Sequence, residues 1–427
     1  MDHAQIVVTS CSRRELELEQ MREFLRGNGF YVSADSWSVE KNADVIFLST
    51  CGFTQAAEDF GFETLHRINR DKKPSAQVVL CGCIPEINPA RVSAEFGGPT
   101  FSPQSYDRLD DIVGATRPFH SFKRPNLLRR RGFQSNLTDD LQKGIQLLQT
   151  FDGSFAGLQN LTRRLGHAIT RRLIRGNHAN LESAKTYYIQ IQEGCSMECS
   201  YCSIKTAIGR LRSRPIVDVL QEFETGLQLG YREFQFVGDN AGSYGLDIGA
   251  NLGVLLRQLV DLEEDFRLDL TDINPAYLRI IAEPACELAA RGKLARIYVP
   301  IQSASPRILK LMKRGGDIEV VKATLKQIRS AALARSQLRL GTSVIVGFPS
   351  ETDDDLQQTI AFCQEVRFDW VWCHSFSARP ETPAATMSGQ VDPAEILRRA
   401  RRVEQALSAH TSVTTADDSL GSRTCQG

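Results

Sequence analysis

Three cysteines lie within eight residues of one another in the stretch EGCSMECSYC, at Cys195, Cys199 and Cys202. Thiolates bind soft metals, and iron–sulfur clusters are held mainly by cysteine. A structural zinc site requires four ligands, and no nearby histidine or fourth cysteine completes such a set here. Three protein ligands leave one iron of a four-iron cluster open to a substrate or cofactor. The spacing therefore favours an iron–sulfur cluster with an open position.

The cysteine motif follows YYIQIQ, the first of six strand-like runs between residues 185 and 380. The other runs are EFQFV, RLDLT, RIYVP, TSVIVG and DWVWCHSF, and helical patterns such as IVDVLQEFETGLQLG separate them. Alternation of strands and helices indicates a parallel sheet, and six such units predict a partial (β/α)6 barrel. In barrels of this kind the chemistry lies at the carboxyl ends of the strands, where the motif falls.

Residues 1–115 show the same alternation and predict an α/β domain with an open, parallel, flavodoxin-like sheet. QIVVT, DVIFLS and QVVLC are typical of buried strands, and RRELELEQMREFLRGNG predicts a helix that ends near Gly29. Cysteines follow or end all three strands, and the carboxyl ends of parallel strands meet at one edge of a sheet. We therefore expect these cysteines to converge there, although each alone could be a buried core thiol.

The chain has 427 residues, of which 42% are hydrophobic and 24% are charged. This length and composition indicate a multidomain globular protein. No apolar run reaches the roughly 18 residues that a membrane-spanning helix needs, and the N-terminus lacks a signal-peptide pattern. We therefore expect a cytoplasmic protein that does not contact the membrane. In that compartment the eleven cysteines are interpreted as metal ligands or reduced thiols rather than disulfides.

The net charge is zero, but the segment Arg117–Arg175 holds twelve Lys/Arg and only three Asp/Glu. This pattern predicts a basic insert over 116–184, with helices around DDLQKGIQLLQTF and NLTRRLGHAITRRLI. The insert is either a solvated surface or a site for an anionic partner such as RNA, a nucleotide or a phosphorylated metabolite. It lacks the interleaved aromatic residues that stack on bases. A helix is predicted within 381–410, followed by a disordered polar tail over 411–427.

The cysteine motif, with Tyr201 directly before its last cysteine, resembles the radical S-adenosylmethionine superfamily. In that superfamily the open iron of a [4Fe-4S] cluster binds the amino and carboxylate groups of S-adenosylmethionine. The reduced cluster cleaves this cofactor to a 5′-deoxyadenosyl radical, which abstracts hydrogen from an unactivated C–H bond. The resemblance implies an external electron donor, such as flavodoxin or ferredoxin, and a place for Tyr201 beside the cofactor.

The chain also resembles the methylthiotransferases that modify a tRNA adenosine or a ribosomal-protein aspartate, over Gln5–Ala115 and from Tyr187 to about Leu407. The motifs that carry this resemblance are EGCSMECSYC, GRLRSRP, VGDNAGSYGLDIG, VPIQSASPRILKLMKRG, IVGFPSETDDDLQQT and FSARPETPAATM. In the N-terminal domain TSCSRRELELEQM, STCGFTQAAED and CGCIPEINP match as well. This family holds a second [4Fe-4S] cluster on three N-terminal cysteines. The resemblance assigns them to Cys11, Cys51 and Cys83, with Cys81 as the alternative to Cys83.

Position in the barrel suggests contacts to S-adenosylmethionine at the ends of several strands. Gly238, Asp239 and Asn240 end the second strand and would face the methionine part of the cofactor. Gln302 and Ser303 end the fourth strand and would reach the ribose, and Gly347 would allow close approach of the adenine. The remaining cysteines are interpreted as packing or incidental thiols: Cys286, Cys363, Cys373 and Cys425.

Several departures from the family pattern bear on the substrate. The first motif reads CSRRE, with Ser12 where the family usually has an asparagine directly after the cysteine, and Ser49 stands where the second motif has an asparagine. The chain carries the basic insert, and no strand pattern follows its last helix where the family has a substrate-gripping β-barrel. We interpret these departures as signs that the family's chemistry is retained and that its substrate has changed. The predicted enzyme forms a C–S bond on a small anionic or nucleotide-like molecule of secondary metabolism, with sulfur from the second cluster. The alternatives are a tRNA or ribosomal-protein methylthiotransferase, with RNA as partner, and a non-catalytic iron–sulfur protein.

Overall fold

The protein is described by a computed structural model. The described residues are 2–33, 38–128, 185–332, 337–408 and 411–415. Most of the predicted basic insert, including both helices expected in it, lies outside these ranges, as does Cys425. No helix of the described part is both long and apolar enough to cross a membrane.

The N-terminal domain is built on a parallel five-stranded sheet in the order β2-β1-β3-β4-β5. Its strands are β1 (His3–Val8), β2 (Tyr31–Val32), β3 (Val45–Thr50), β4 (Gln77–Gly82) and β5 (Thr100–Phe101). Its helices are α1 (Glu15–Gly27), α2 (Gln55–Asp71), α3 (Ile84–Ile87), α4 (Pro89–Glu95) and α5 (Arg108–Val113). The three predicted strands are β1, β3 and β4, and the α/β fold class is confirmed.

Side-chain alternation along the strands gives this sheet two apolar faces. Ile6 and Phe47 pack with Phe24 of α1 on one face, whereas Ile46 packs with Phe62 of α2 on the other. Every residue of β3 is buried, because helices cover both sides of a central parallel strand. The carboxyl edge of the sheet, from which the cysteines extend, is left for contact with the rest of the chain.

The second domain contains a parallel seven-stranded sheet in the order β14-β13-β12-β11-β10-β9-β6. Its strands are β6 (Thr186–Gln190), β9 (Glu233–Val237), β10 (Arg267–Leu270), β11 (Leu294–Tyr298), β12 (Arg339–Val346), β13 (Trp370–Ser375) and β14 (Ser412–Thr415). Its helices are α6 (Ile204–Ile208), α7 (Ile216–Gln228), α8 (Leu252–Val260), α9 (Leu278–Ala290), α10 (Pro306–Leu311), α11 (Ile318–Ala331), α12 (Asp353–Val366) and α13 (Pro393–Leu407). The six predicted strands are β6 and β9 to β13, and they form the partial barrel.

The tail predicted to be disordered from residue 411 begins instead with a strand. Ser412–Thr415 form β14, which pairs in parallel with β13. The prediction was wrong here because the stretch contains three β-branched residues, Val413, Thr414 and Thr415, and such residues favour an edge strand. The sheet therefore has one strand more than the six that the sequence predicts.

The two domains meet through their carboxyl edges. Cys83 and Ile87 of the N-terminal domain form an apolar cluster with Ala207 and Ile204 of α6. Beside this cluster the Gln104 side-chain amide donates to the Thr206 carbonyl at 2.6 Å. The cysteine-bearing loops of both domains consequently lie on the same side of the molecule.

The first residues of the predicted insert belong to this packed body. Phe119 is buried in the N-terminal core and stacks on Tyr106, with ring centroids 4.8 Å apart. Arg124 forms an ion pair with Glu193 of the barrel domain at 2.9 Å, and the Asn126 amide donates to the Tyr188 carbonyl at 2.7 Å. Residues 116–128 thus contact both the N-terminal core and the barrel domain beside its first strand.

Candidate active site

The barrel cysteines lie in one loop that a short antiparallel ribbon brackets, formed by β7 (Gln192–Glu193) and β8 (Arg212–Ser213). The Ser200 amide and hydroxyl, in the middle of the loop, donate to the carbonyls of Met312 and Leu311 at 2.9 and 2.8 Å. These bonds fasten the loop to the end of α10. The first ribbon strand leads directly into the cysteine motif, as the sequence predicts.

The three barrel cysteines are close enough to influence one another electrostatically. Burial, with smaller contributions from the neighbouring Cys199 and Cys195, raises the pKa of Cys202 to about 11. Burial also raises the pKa of Cys195. Because burial and like charge both disfavour thiolates, the set requires positive charge to become ionised. Bound iron would supply that charge.

A half-buried arginine already provides part of this positive charge. One Arg314 nitrogen (Nη1) lies 3.0 Å from the Tyr201 hydroxyl and 3.7 Å from the Cys199 sulfur. Its other terminal nitrogen donates to the Pro300 carbonyl, which fixes the plane of the guanidinium. The Tyr201 hydroxyl is therefore bound to Arg314 beside the cysteine site, and its contact with the cofactor stays a prediction. Arg314 was not among the site residues predicted from the sequence.

Two side chains at the mouth of the barrel have polar atoms with no hydrogen-bond partner. The Asn240 amide nitrogen donates to the Cys195 sulfur at 3.7 Å, but its Oδ1 is buried and unpaired. Both polar atoms of the buried Gln192 side chain are also unpaired. A Cβ on Gly238 would come within 2.8 Å of Gln192, so glycine makes room for that side chain. Since buried polar groups are normally paired, these atoms indicate a site for a polar ligand.

Asp239 has protein partners on both carboxylate oxygens. One oxygen accepts from the Gly194 amide at 2.8 Å, and the other accepts from Arg14 of the N-terminal domain. The side chain is 5% exposed. Asp239 therefore takes part in the contact between the domains, and its predicted contact with the methionine part of the cofactor stays a prediction.

The residues expected at the ribose differ in how available they are. Gln302 adopts a left-handed backbone conformation, with φ +69°, which is unusual for this residue type and occurs often at functional sites. Ser303 is engaged instead in structural bonds, because its hydroxyl lies 3.3 Å from the Thr359 hydroxyl and accepts from the Ser305 amide at 3.2 Å. A ribose contact by Ser303 would require this network to open.

Gly347, expected to face the adenine, is explained by the local backbone and by packing. Its φ is +75°, a conformation that favours glycine, and a Cβ would come within 2.4 Å of Ile396 on α13. Its amide donates to Glu351 at 2.7 Å. The space that the glycine leaves is therefore filled by a helix of this chain.

The N-terminal cysteines Cys11, Cys51 and Cys83 follow β1, β3 and β4 and come together at the carboxyl edge of the sheet. Burial raises the pKa of Cys83 well above its ordinary value, and Cys51 and Cys11 add to this rise, whereas Arg14 opposes it. Cys51 and Cys83 are buried and Cys11 is half-buried. The three side chains thus form a second site, although they are far apart in sequence.

Cys81 has a different environment from Cys83. Its side chain packs in the core on the α1 face of the sheet, and its thiol donates to the Leu48 carbonyl at 3.4 Å. Burial raises its pKa, and among the other cysteines only Cys83 contributes. The structure therefore brings Cys83, and not Cys81, together with Cys11 and Cys51.

Within the described ranges, no three His, Cys, Asp or Glu side chains are arranged to hold a single metal ion. A four-iron cluster binds each cysteine through a different iron, so its ligands stand further apart than those of one ion. The donor sets on both domains consist of three thiols each, which is the composition expected for a cluster with an open iron.

A small cavity adjoins the barrel cysteines and the loop that follows Cys51. Its lining comprises Phe53, Thr54, Tyr201, Cys202, Ser203, Ile204, Ile345, His374, Ser375, Phe376 and Ser377. Phe53 follows closely after Cys51 on one wall, and Cys202 itself forms part of the other. The hydroxyls of Ser203 and Ser375 are buried without a partner. The cavity thus combines aromatic walls with polar atoms that are available to a ligand.

Phe53 and His374 pack against each other in the lining of this cavity, with ring centroids 5.5 Å apart and an edge-on arrangement. Burial, with a smaller contribution from the nearby Arg13, lowers the pKa of His374 to about 4. The imidazole is therefore neutral at physiological pH. Neither residue was predicted from the sequence, although Phe53 closely follows β3 and His374 lies near the end of β13.

Residues 189–363 match the model of the Radical SAM superfamily, and residues 3–100 match that of the uncharacterized protein family UPF0004. The chain therefore carries a radical SAM domain behind a UPF0004 domain, and the predicted resemblance is confirmed. Radical SAM proteins use S-adenosylmethionine and a [4Fe-4S] cluster, and methylthiotransferases carry two clusters, which confirms the predicted cofactors.

The chain is similar to two tRNA-modifying enzymes along most of its length. It is 28% identical over 421 residues to the tRNA-2-methylthio-N(6)-dimethylallyladenosine synthase of Buchnera aphidicola, covering 96% of this chain and 85% of that protein. It is 27% identical over 392 residues to the threonylcarbamoyladenosine tRNA methylthiotransferase MtaB of Thermotoga maritima, covering 92% and 78%. These relatives favour the tRNA-modifying alternative over the small-molecule substrate that the sequence analysis placed first.

Among solved structures, the chain resembles the radical S-adenosylmethionine methyltransferase TsrM from Kitasatospora setae. The TM-score is 0.56 at 13% identity, covering 90% of this chain and 75% of that one. At this identity the likeness supports the fold alone.

Proposed function

We propose that this protein is a radical S-adenosylmethionine methylthiotransferase that forms a C–S bond on a nucleoside of tRNA. The observation that carries the proposal is the cavity that Cys202 lines together with Phe53, whose amide contacts the Cys51 sulfur at 3.4 Å. An enzyme that joins sulfur to a carbon atom must bring its radical source and its sulfur source close to that same carbon. The names of the similar proteins support tRNA as that substrate.

In this proposal each group has a defined set of ligands. Cys195, Cys199 and Cys202 hold the cluster that binds S-adenosylmethionine, and the N-terminal three, Cys11, Cys51 and Cys83, hold the second. When bound, these groups supply the radical that removes a hydrogen atom and the sulfur that joins the carbon. The unpaired polar atoms of Asn240 and Gln192 would bind the polar part of the cofactor.

The cavity residues orient the substrate and keep water away from it. Phe53 and Phe376 offer aromatic faces to a nucleobase, and stacking of a base on an aromatic ring contributes about 1–3 kcal/mol. The hydroxyls of Ser203 and Ser375 can bond the polar edge of a base. The neutral imidazole of His374 adds no charge next to the carbon that reacts.

We propose tRNA phosphates as the partner of the basic segment 116–184 and an external flavodoxin or ferredoxin as the electron donor. The excess of nine positive charges between Arg117 and Arg175 suits a polyanion. Binding that rests on such charges weakens steeply as salt is raised. A salt series of tRNA affinity would therefore report how much of the binding is electrostatic.

The test is an anaerobic assay with reconstituted protein, S-adenosylmethionine, reductant and tRNA that lacks methylthio groups. We expect 5′-deoxyadenosine, and nucleosides from digested tRNA that have gained a methylthio group, detected by mass spectrometry. The matched control is the variant with Cys195, Cys199 and Cys202 all replaced by alanine, which should give neither product. Parallel reactions with free nucleosides and ribosomal protein test the other substrate classes.

Two outcomes would refute the proposal. Cleavage of S-adenosylmethionine with sulfur transfer to a free nucleoside but never to tRNA would favour the hypothesis of a small-molecule substrate. An intact, reducible cluster that never cleaves S-adenosylmethionine would indicate a non-catalytic iron–sulfur protein.

A further inference from the structure

Two consecutive arginines that follow Cys11 reach across to the barrel domain. Arg13 pairs with Asp272, which follows β10, and Arg14 pairs with Asp239, which follows β9. Neighbouring residues of one domain therefore bind carboxylates at the ends of neighbouring strands of the other. The second pair is the more buried, with side chains 8% and 5% exposed.

Arg14 is held in place on its own domain before it reaches the barrel. One guanidinium nitrogen bonds Glu17 at 2.6 Å, and the other carboxylate oxygen of Glu17 accepts from the Tyr106 hydroxyl at 2.9 Å. Arg14 is also close enough to Cys83 and Cys11 to interact with both electrostatically. The guanidinium therefore lies at the N-terminal cysteine site and has a fixed orientation.

Asp239 carries the connection to the barrel cysteines. The carboxylate oxygen that Arg14 does not use accepts from the amide of Gly194, the residue before Cys195. Gly194 has a φ of +75°, and a Cβ there would come within 2.0 Å of the Arg210 carbonyl oxygen, so the loop backbone is tightly constrained. The next residue, Asn240, contacts the Cys195 sulfur. One carboxylate thus joins both cysteine sites.

We propose that Arg14 and Asp239 are positioning residues that hold the two cysteine sites at a fixed separation. The inference rests on the proposed function for its catalytic consequence, but the structural consequence stands without it. A carboxylate at position 239 gives the arginine its partner.

The test uses the full chain with both clusters reconstituted. Asp239→Asn is the decisive variant, because it keeps the size of the side chain while removing its charge and one acceptor. Arg14→Lys keeps the charge but loses the fork that reaches two carboxylates. Arg257→Gln is the control, since it removes an arginine that pairs with Glu283 and Glu287 on the outside of the barrel.

Three quantities are measured for each variant. They are iron per chain, the distance between the two reduced clusters by pulsed dipolar electron paramagnetic resonance, and the ratio of modified nucleoside to 5′-deoxyadenosine. We expect Asp239→Asn to keep its iron, to broaden or shift the distance distribution, and to lower the ratio by about 10- to 100-fold, because small misplacements of reacting groups carry such losses. Arg14→Lys should lie between this variant and the wild type, and Arg257→Gln should match the wild type.

The distance measurement separates this inference from the proposed function, because it needs no substrate. An unchanged distance distribution in Asp239→Asn would overturn the positioning role, whatever the activity. Loss of S-adenosylmethionine cleavage with an unchanged distance would also overturn it and would assign Asp239 to the cofactor. A shifted distance in a protein that modifies no tRNA would support the inference while refuting the proposed function.

Discussion

The two cysteines of QVVLCGC offer a direct test of how the N-terminal site is built. The sequence leaves Cys81 and Cys83 as alternatives, whereas the structure places only Cys83 beside the other two cysteines. We compare Cys83→Ala with Cys81→Ala, which remove the same atom from positions two residues apart. Each variant is therefore the matched control of the other.

The expected effects differ in kind. Two four-iron clusters correspond to roughly eight irons per chain, and loss of one ligand at the N-terminal site should leave about four in Cys83→Ala. Cys81→Ala should keep about eight, because its thiol is bonded to the Leu48 carbonyl inside the core. Loss of that contact and of a buried sulfur should lower the free energy of unfolding by about 1 kcal/mol.

Iron and acid-labile sulfide are measured after anaerobic reconstitution, and stability is measured by denaturant unfolding of the same samples. Both variants must first show wild-type circular dichroism, so that iron loss is not a consequence of misfolding. Loss of about four irons in Cys81→Ala with retention in Cys83→Ala would refute the assignment. Retention of the wild-type iron content in both variants would refute a second cluster that uses either residue.

Three further predictions concern buried charged and titratable groups. Arg314→Gln should make the reduction potential of the barrel cluster more negative by about 60 mV in a redox titration. The reason is that the substitution removes a cation that stabilises the reduced cluster by about 1.4 kcal/mol. Burial lowers the pKa of His374 from 6.5 to about 4, so the stability this residue contributes is present above pH 6.5 and is lost as pH falls toward 4. The wild type should therefore lose about 3 kcal/mol more than His374→Gln over this range in denaturant unfolding. Glu58→Gln leaves the buried Arg379 without its ion-pair partner and should cost about 3–5 kcal/mol, against almost nothing for the exposed Glu283→Gln.

Much of the candidate site follows from local sequence because parallel strands gather their carboxyl ends. Cys11 and Cys51 each follow a run of β-branched or apolar residues, and once those runs are strands of one sheet the two cysteines share an edge. The same reasoning places the barrel motif after β6. These predictions need only the order of the elements and no knowledge of side-chain contacts.

The choice between Cys81 and Cys83 illustrates what such reasoning lacks. Alternation along a strand would put both side chains on one face. Gly82 between them has a φ of +95°, and a Cβ there would come within 2.3 Å of the Thr50 carbonyl oxygen. This left-handed residue ends the strand and turns Cys83 away from the core. A sequence shows the glycine but does not show whether it uses that conformation.

The cofactor contacts assigned from strand ends stay predictions, and their surroundings differ for a related reason. A strand-end residue can face the mouth of the barrel or the helix that follows, and the sequence does not distinguish these directions. Ser303 and Gly347 turn out to serve α12 and α13, through Thr359 and Ile396. Asn240, also at a strand end, faces the cysteine site and keeps an unpaired oxygen.

The contact between Arg14 and Asp239 lies beyond what the sequence can predict. The two residues are 225 positions apart, so no local pattern reveals that the arginine has a carboxylate partner on the other domain. Arg14 also pairs with Glu17 on its own domain, so its guanidinium keeps a carboxylate partner when Asp239 is replaced. Asp239→Asn therefore weakens the link between the domains without leaving a buried arginine unpaired, which is the condition that would be strongly unfavourable. The variant consequently tests the positioning of the two cysteine sites and not the burial of an uncompensated charge.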